Sequence, residues 1–234
     1  MDKLLVITGA SKGIGLATAE LFAGNGYRVI NVSRSACPLD NVTNLAIDLM
    51  DPNWADQHAS SLLEQVGQPD QVTILHNATL MTKDTVRDIE AETLTKVLQL
   101  NVIAAAQINT LLLPIMREGS SILYISSTLG TKAVANTHAY VISKHAVIGQ
   151  MRATCQDLVG AGIHTAAICP GFTETEMLKE HLGDNPELRE QISSNIVLGR
   201  LVQPREIAST VWFCSQTPAV NGAILDANNG QVEQ

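Results

Sequence analysis

The sequence predicts an α/β fold: one doubly wound parallel sheet of about seven strands with helices on both faces. Short apolar runs alternate with longer helical patterns, which is typical of a parallel sheet covered on both sides. The strand runs are apolar without a polar face, as expected where both faces are buried. The predicted strands are Leu4–Thr8, Arg28–Val32, Asn44–Ile47, Val72–His76, Ser121–Ile125, His164–Cys169 and Ala223–Asp226. The predicted helices are Gly13–Gly24, Asn53–Val66, Ala91–Met116, Ala139–Val159 and Pro204–Ser215.

Length and charge narrow the class of protein. The 234 residues carry 15 Lys and Arg against 23 Asp and Glu, a formal net charge of −8. We expect a single domain over residues 1–234, because a chain of this length can bury a full core. The negative charge disfavours nucleic acid or an anionic membrane as the main partner. Four cysteines without a CxxC pair or zinc spacing predict reduced thiols, no metal and a cytoplasmic location.

Two segments stand out from the strand–helix alternation. The stretch 174–199 mixes polar and apolar residues, and we predict that it forms a lid over a site. The longest uncharged run, Asn101–Met116, is too short and too polar to span a bilayer. A helix that is apolar on all sides needs cover on all sides. The sheet supplies one cover, and a second subunit would supply another, so an oligomer is expected.

A glycine-rich turn joins the first strand to the first helix, with the sequence Thr8-Gly9-Ala10-Ser11-Lys12-Gly13-Ile14-Gly15. Glycines permit a tight turn and a close approach of backbone amides to a phosphate. The helix N-terminus adds free N–H donors and a partial positive charge. The turn therefore suits the pyrophosphate of a dinucleotide. The alternative is a tight strand-to-helix turn that binds no ligand.

The end of the second strand indicates which dinucleotide the glycine turn would bind. An acidic residue there would bind the ribose 2′-hydroxyl of NAD. This chain has Ser33 and Arg34 instead, with Lys12 in the glycine turn. A guanidinium can pair with a 2′-phosphate, so the sequence favours NADP, unless Arg34 and Lys12 are solvated surface charges. Asp48 follows the third strand and either accepts from the adenine amino group or caps the next segment.

A reactive pair lies in the fourth predicted helix. Tyr140 and Lys144 are four residues apart, so they share one helix face. A nearby ammonium favours the phenolate and would lower the pKa of Tyr140 from its usual value near 10. The pair would then act as a general acid and base on a hydroxyl or carbonyl group. Ser126 and Ser127 follow a buried strand and emerge at the same sheet edge as the glycine turn.

These motifs, in this order from Leu4 to about Gly230, resemble those of the short-chain dehydrogenases/reductases of the single-domain, Rossmann-like type. The motif residues are Thr8-Gly9, Gly13, Gly15, Asn77-Ala78, Asn101, Ser127, Tyr140, Lys144, Pro170-Gly171, Thr173, Thr175 and the segment Gly199–Ala208. One departure is Thr79, which replaces a family glycine beside the cofactor. The segments Pro170–Met177 and Gly199–Ala208 look similar to those of β-ketoacyl thioester reductases.

The resemblance implies a role for each of four catalytic residues. Tyr140 would exchange a proton with the substrate oxygen, and Ser127 would orient that oxygen. Lys144 would lower the pKa of Tyr140 and bind the nicotinamide ribose. Asn101 would hold a water that links Lys144 to solvent.

The resemblance also implies a set of cofactor-binding residues. Pro170 and Gly171 would leave the backbone open to the nicotinamide, while Thr173 and Thr175 would fix the carboxamide or the pyrophosphate. The full set is Gly9, Ser11, Lys12, Gly13, Ile14, Gly15, Ser33, Arg34, Asp48, Leu49, Asn77, Ala78, Tyr140, Lys144, Pro170, Gly171, Thr173 and Thr175.

The implied activity is NADP-dependent hydride transfer between a carbonyl and a secondary alcohol in a small molecule, by a homodimer or homotetramer. We expect the segments Leu178–Val197 and Leu129–His138 to determine the substrate specificity. Two alternatives stay open at this point. One is a dehydratase or epimerase on the same fold, and the other is a non-catalytic NADP-sensing protein.

Overall fold

Seven parallel strands form one sheet. They are β1 Lys3–Thr8, β2 Arg28–Ser33, β3 Val42–Ala46, β4 Gln71–His76, β5 Ser121–Ile125, β6 His164–Pro170 and β7 Ala223–Ala227. Their order across the sheet is β3-β2-β1-β4-β5-β6-β7. The computed structural model describes residues 1–183 and 186–232. The predicted fold class and the seven strands are confirmed.

Helices cover both faces of the sheet. They are α1 Gly13–Gly24, α2 Trp54–Val66, α3 Ala91–Leu98, α4 Ala104–Leu112, α5 His138–Asp157, α6 Glu176–Leu182, α7 Pro186–Ser194 and α8 Pro204–Gln216. Successive side chains of a strand point to opposite faces. In β1, Leu4 and Val6 therefore enter the core under α2, α4 and α5, whereas Leu5 and Ile7 enter the core under α1 and α8.

The predicted helix over Ala91–Met116 is wrong as one uninterrupted α-helix. A π-helical turn, Gln99–Ile103, separates α3 from α4, and a 3₁₀ turn, Leu113–Ile115, ends the stretch. Pro114 lies in that last turn, where its missing N–H ends the α-helical hydrogen-bond ladder. The π turn faces Asn101 toward α5, where its side chain donates to Ser143. The other predicted strands and helices agree with the structure to within two residues at each end.

The apolar helical stretch Ala91–Ile115 is only partly covered. By length and composition alone it would suffice to cross a membrane, with about one third of its most apolar window buried. Ile108 and Leu112 pack fully into the core. On the other side Ile103 is 44 % exposed and Leu113 is 36 % exposed. A single chain therefore leaves part of this apolar surface exposed, which is consistent with the expected oligomer.

The predicted lid contains two short helices, α6 and α7, in the part that the structure describes. Residues 184 and 185 of the predicted lid lie outside the described residues, as do residues 233 and 234 of the predicted domain. A hydrogen bond from the Glu174 amide to the Val202 carbonyl, 2.8 Å long, ties the start of the lid to the segment before α8.

The chain order creates a crevice in the sheet. β2 and β3 follow one another on one side of β1, and β4 then pairs with the other side of β1. At such a switch point the loops after the two central strands diverge, and the carboxyl ends of the strands flank a ligand-sized crevice. In this protein the crevice lies between the glycine turn after β1 and the loop after β4.

Candidate active site

The glycine turn requires its glycines for steric reasons. Gly9 and Gly13 have φ values of +75° and +57°, a region that favours residues without a side chain. A Cβ on Gly15 would lie 2.1 Å from the Gly9 carbonyl oxygen and 2.7 Å from the Asn77 Nδ2 atom. Lys12 gives α1 no side-chain cap. The first amides of α1 therefore remain available to an anion.

Thr8 and Asn77 hold the two sides of the crevice together. The amides of Asn77 and Ala78 both donate to the Thr8 hydroxyl at 2.9 Å. The Asn77 Nδ2 group donates to the carbonyl oxygens of Thr8 and Gly9, also at 2.9 Å. These four bonds fix the distance between the ends of β1 and β4, so they set the width of the crevice.

Polar and charged side chains surround the other end of the crevice, past β2 and β3. Arg34 is exposed there and makes no hydrogen bond or ion pair within the described part of the chain. The Ser33 hydroxyl lies 2.7 Å from the Ser35 carbonyl oxygen. Asp48 accepts from the Met50 amide at 3.0 Å, so it closes a local turn and does not cap α2. Lys12 reaches the exposed Glu180 of α6 at 3.5 Å.

One cavity of about 670 Å³ joins these regions. It contains every residue of the predicted cofactor-binding set, together with Ser127. Its volume lies in the range of small-molecule sites. Asn101 is the one predicted site residue that does not line it; it borders a separate void of about 10 Å³ beside Lys144.

The reactive side chains meet where β5 ends and α5 begins. Tyr140 is 8 % exposed and Lys144 is 2 % exposed. The Lys144 Nζ atom donates to the Ile125 carbonyl oxygen at 2.9 Å and lies 5.4 Å from the centre of the Tyr140 ring. The Ser126 hydroxyl donates to the Lys144 carbonyl oxygen at 3.1 Å, which anchors α5 to the end of β5.

Burial dominates the protonation of this pair. It raises the pKa of the Tyr140 phenol to about 12, while a hydrogen bond with Ser127 acts in the opposite direction. Burial also lowers the pKa of Lys144 to about 8. In this structure the pKa of Tyr140 lies above its usual value, because burial of the phenol is the largest effect on it; the expected lowering of this pKa by Lys144 stays a prediction. The Tyr140 phenol is therefore protonated at neutral pH.

Asn101 is held entirely by protein groups. Its Oδ1 atom accepts from the Leu80 amide at 2.7 Å. Its Nδ2 group donates to the Leu80 carbonyl oxygen at 3.0 Å and to the Ser143 hydroxyl at 2.9 Å. Both N–H groups are thus in use. This geometry joins the loop after β4 to α5, and the predicted role of Asn101 as a water carrier stays a prediction.

The segment after β6 forms the remaining wall. A Cβ on Gly171 would lie 2.7 Å from the Asn228 Cβ atom, so the end of β7 itself requires a glycine here. The Thr173 hydroxyl donates to the Gly171 carbonyl oxygen at 3.0 Å. The Thr175 hydroxyl accepts from the Leu178 amide and caps α6. A Cβ added to Gly13 would lie 3.2 Å from the Thr175 Cγ2 atom, so Thr175 also borders the glycine turn.

Sequence reasoning missed one residue that positions the reactive helix. Asp84, in the loop after β4, is buried, and its Oδ1 atom accepts from the Ala139 amide at 2.9 Å. Its Oδ2 atom accepts from the Thr82 hydroxyl. An isolated Asp far from α5 in sequence carries no motif. A sequence signals a helix cap only by a residue directly before the helix, and Asp84 is more than fifty residues before α5. No sequence pattern therefore pointed to Asp84.

The residues at the crevice fit a nicotinamide dinucleotide. The glycine turn brings uncapped amides to the cavity wall, and a side chain on Gly15 would fill the space between Gly9 and Asn77. Thr79, the residue that replaces a family glycine, lines the same cavity, and its hydroxyl is buried without a partner among residues 1–183 and 186–232. In that same part of the chain no group of three metal-ligating side chains exists.

The fold and the glycine turn together define a protein of the dinucleotide-binding α/β class, and comparison with known proteins gives its family. The family model described as enoyl-(acyl carrier protein) reductase matches residues 9–231. The 3-oxoacyl-[acyl-carrier-protein] reductase of Vibrio cholerae is 28% identical, over 97% of this chain and 96% of that protein. The one from Thermotoga maritima is 31% identical, over 98% of each chain.

A solved structure gives the same result. A short-chain dehydrogenase family protein from Francisella tularensis superposes with a TM-score of 0.89 at 26% identity, covering 99% of each chain. The chain belongs to the short-chain dehydrogenase/reductase family. It is an oxidoreductase of that family.

Proposed function

We propose that this protein is an NADP-dependent oxidoreductase that interconverts a carbonyl group and a secondary alcohol. One observation carries the proposal: Ser127, Tyr140 and Lys144 line the same cavity as the glycine turn. A proton donor and a dinucleotide site thus border one continuous space. The 3-oxoacyl-[acyl-carrier-protein] reductases among the relatives are consistent with carbonyl reduction.

The chain's own groups supply the proton and the electrostatics. In reduction Tyr140, protonated at neutral pH, gives its proton to the carbonyl oxygen of the substrate; in oxidation the phenolate takes a proton from the alcohol. The Ser127 hydroxyl holds that oxygen in place. Lys144, when protonated, stabilises the phenolate that remains on Tyr140. A bound nicotinamide cofactor supplies or accepts the hydride at the carbonyl carbon.

NADP is proposed over NAD because of the charges past β2. Arg34 has no partner within the described residues and lines the cavity. Lys12 belongs to the glycine turn and lines the same cavity, and Ser33 stands where a carboxylate would repel a 2′-phosphate. Glu180 is the nearest competitor for Lys12, but both side chains of that pair are exposed and the pair is weak.

The decisive experiment measures NADPH oxidation across a panel of ketones and aldehydes. Wild-type protein is expected to reduce at least one member, and Tyr140→Phe is expected to lose about 100-fold or more in kcat. Tyr27→Phe is the matched control, because Tyr27 packs on the opposite face of the sheet and bonds Gln216. Equal activity of Tyr140→Phe and wild type would remove Tyr140 from the mechanism.

The same experiment distinguishes the two alternatives. NADPH binding without turnover on any carbonyl would indicate a sensor. A changed product without net consumption of NADPH would indicate a dehydratase or an epimerase. The chain retains all of Ser127, Tyr140 and Lys144 in one cavity, which favours redox chemistry.

We propose a homodimer or homotetramer in the cytoplasm, with neither nucleic acid nor a membrane as partner. The partly exposed Ile103 and Leu113 around α4 and Ile142 on α5 support an association between copies of the chain. The net charge of −8 supports the absence of a polyanionic partner. Sedimentation of the purified protein tests the oligomeric state.

A further inference from the structure

The two ends of the large cavity differ in charge. Among its described lining residues, the charged side chains are Lys12, Arg34, Asp48, Lys144 and Glu176. Lys12 and Glu176 lie at the glycine turn, and Arg34 and Asp48 follow β2 and β3. Only Lys144 is at the reactive end, and its Nζ atom is directed to the Ile125 carbonyl oxygen. No described cation at the reactive end is left to pair with a charged substrate.

Apolar side chains from four parts of the chain line the cavity that the reactive end borders. Leu129 lies two residues past Ser127, and Val134 precedes Tyr140 by six. Met177 belongs to α6 and Ile192 to α7, the two lid helices. Met81, from the loop after β4, completes this apolar wall. Val134 is 55 % exposed, so the wall extends to the mouth of the cavity.

An apolar wall selects substrates by transfer from water. Each methylene group buried against it improves binding by up to about fourfold. A carboxylate brought to the same wall loses its hydration and finds no counter-ion, so it is rejected. A polyhydroxylated chain loses hydrogen bonds to water that these five apolar side chains cannot replace.

We infer that the substrate is an uncharged aliphatic carbonyl compound, whose alkyl chain lies against Met81, Leu129, Val134, Met177 and Ile192. This inference rests on the proposed carbonyl–alcohol activity. It separates alkyl ketones and 3-oxoacyl esters from sugars and oxo acids. The specificity belongs to the lid helices and to the loop between Ser127 and Tyr140.

The first test uses matched substrates with wild-type protein and NADPH. We expect kcat/KM to rise from ethyl 3-oxobutanoate through the 3-oxohexanoate to the 3-oxooctanoate, by about two- to fourfold per methylene. The 1-ethyl ester of 3-oxooctanedioate has the same chain length as ethyl 3-oxooctanoate, but its chain ends in a carboxylate and not in a methyl group. Its kcat/KM is expected to be at least tenfold below that of ethyl 3-oxooctanoate, and a ketohexose is expected to react more slowly still.

The second test places a cation on the apolar wall. Ile192→Lys is expected to shift the preference between the carboxylate substrate and its neutral partner by at least tenfold toward the carboxylate. Gln191→Lys is the matched control, because it adds the same charge to α7 at the neighbouring position, which does not line the cavity. This control is expected to leave the substrate preference unchanged. If Ile192→Lys does not fold, Met177→Lys makes the same change on α6.

The outcomes separate this inference from the proposed function. If the carboxylate or the ketohexose reacts faster than the alkyl series, the inference is overturned while the carbonyl reductase activity stands. A flat response to chain length also overturns it. If no carbonyl of either kind is reduced, the proposed function fails and the inference fails with it.

Discussion

At the scale of single residues, the environment of a side chain decides its chemistry more than its sequence neighbour does. Tyr140 and Lys144 share a helix face, as their spacing predicts, yet burial raises the pKa of the first to about 12 and lowers that of the second to about 8. Both shifts favour the neutral form of each group. A neutral phenol is the form that can donate a proton, which suits the reductive direction.

Arg34 carries the first residue-scale prediction. Arg34→Ala is expected to raise the KM for NADPH by about tenfold or more, because a charge-assisted hydrogen bond to the 2′-phosphate is lost. The KM for NADH is expected to change little, since NADH has no such phosphate. Arg34→Lys keeps the charge and should recover part of the affinity. An equal effect of Arg34→Ala on both cofactors would contradict the assignment.

At the scale of elements, close contacts between backbone segments hold the site together. The glycine turn fits against the loop after β4 with no space for a side chain on Gly15. Two residues outside helix α5 hold its first turns in place. Asp84 accepts from the Ala139 amide, and the Ser126 hydroxyl donates to the Lys144 carbonyl oxygen. The site is therefore sensitive to changes that touch no substrate.

Replacing a glycine by alanine is expected to have opposite effects on stability at the two ends of α1. Gly15→Ala is expected to lower the free energy of unfolding by about 3 kcal/mol, because the new Cβ would overlap the Gly9 carbonyl oxygen. Gly24→Ala, at the last residue of α1, meets nothing within 4 Å and should raise it by about 0.5 kcal/mol. Urea unfolding measures both. Similar values for the two variants would show that the turn has room for a side chain.

The start of α5 carries a further prediction. Asp84→Ala removes the acceptor of the Ala139 amide, so it is expected to cost about 1–3 kcal/mol of stability and about tenfold in kcat, since Tyr140 lies in the first turn. Asp84→Asn keeps an acceptor oxygen and should recover most of the kcat. Asp88→Ala is the control, since Asp88 bonds only within an exposed turn of the same loop. A loss of stability with unchanged kcat would deny Asp84 a positioning role.

At the scale of the whole molecule, one buried polar network crosses the core beneath the site. The His76 Nε2 atom lies 2.7 Å from the Asn109 Oδ1 atom, and Asn109 donates to the Tyr124 hydroxyl at 2.8 Å. That hydroxyl lies 2.9 Å from the Thr154 Oγ1 atom. The network joins β4, α4, β5 and α5. The His76 Nδ1 atom has no partner in the described residues, and burial lowers the pKa of this imidazole to about 4.

The pH dependence of stability follows from His76. Its pKa is about 4 in the folded protein, against the ordinary imidazole value of 6.5 for an unfolded chain, so the unfolded state binds more protons between these values. The stabilisation is complete above pH 6.5 and is lost as the pH falls toward 4. Between about pH 7 and pH 5 we expect the free energy of unfolding to fall by about 2 kcal/mol. In His76→Asn this part of the slope should vanish; an unchanged slope would assign it elsewhere.

Local signals in the sequence predicted the elements and most of the site. Hydrophobic runs define strands because both faces of a parallel strand are buried, and the spacing of Tyr140 and Lys144 is a property of any helix. Every predicted cofactor-binding residue lines one cavity because these residues cluster after the strands or at the start of α5, and parallel strands end at one edge. The π turn at Gln99–Ile103 was missed, because helical spacing does not reveal one inserted residue.

The sequence by itself determined the fold class, the glycine turn and the identity of the candidate reactive side chains. The tertiary structure alone decided their protonation, the buried support of Asp84 and His76, and the apolar wall of the cavity. Local periodicity depends on a few neighbouring residues, and the chain carries it directly. Burial and long-range hydrogen bonds depend on which distant segments meet, and only the folded chain brings those segments together.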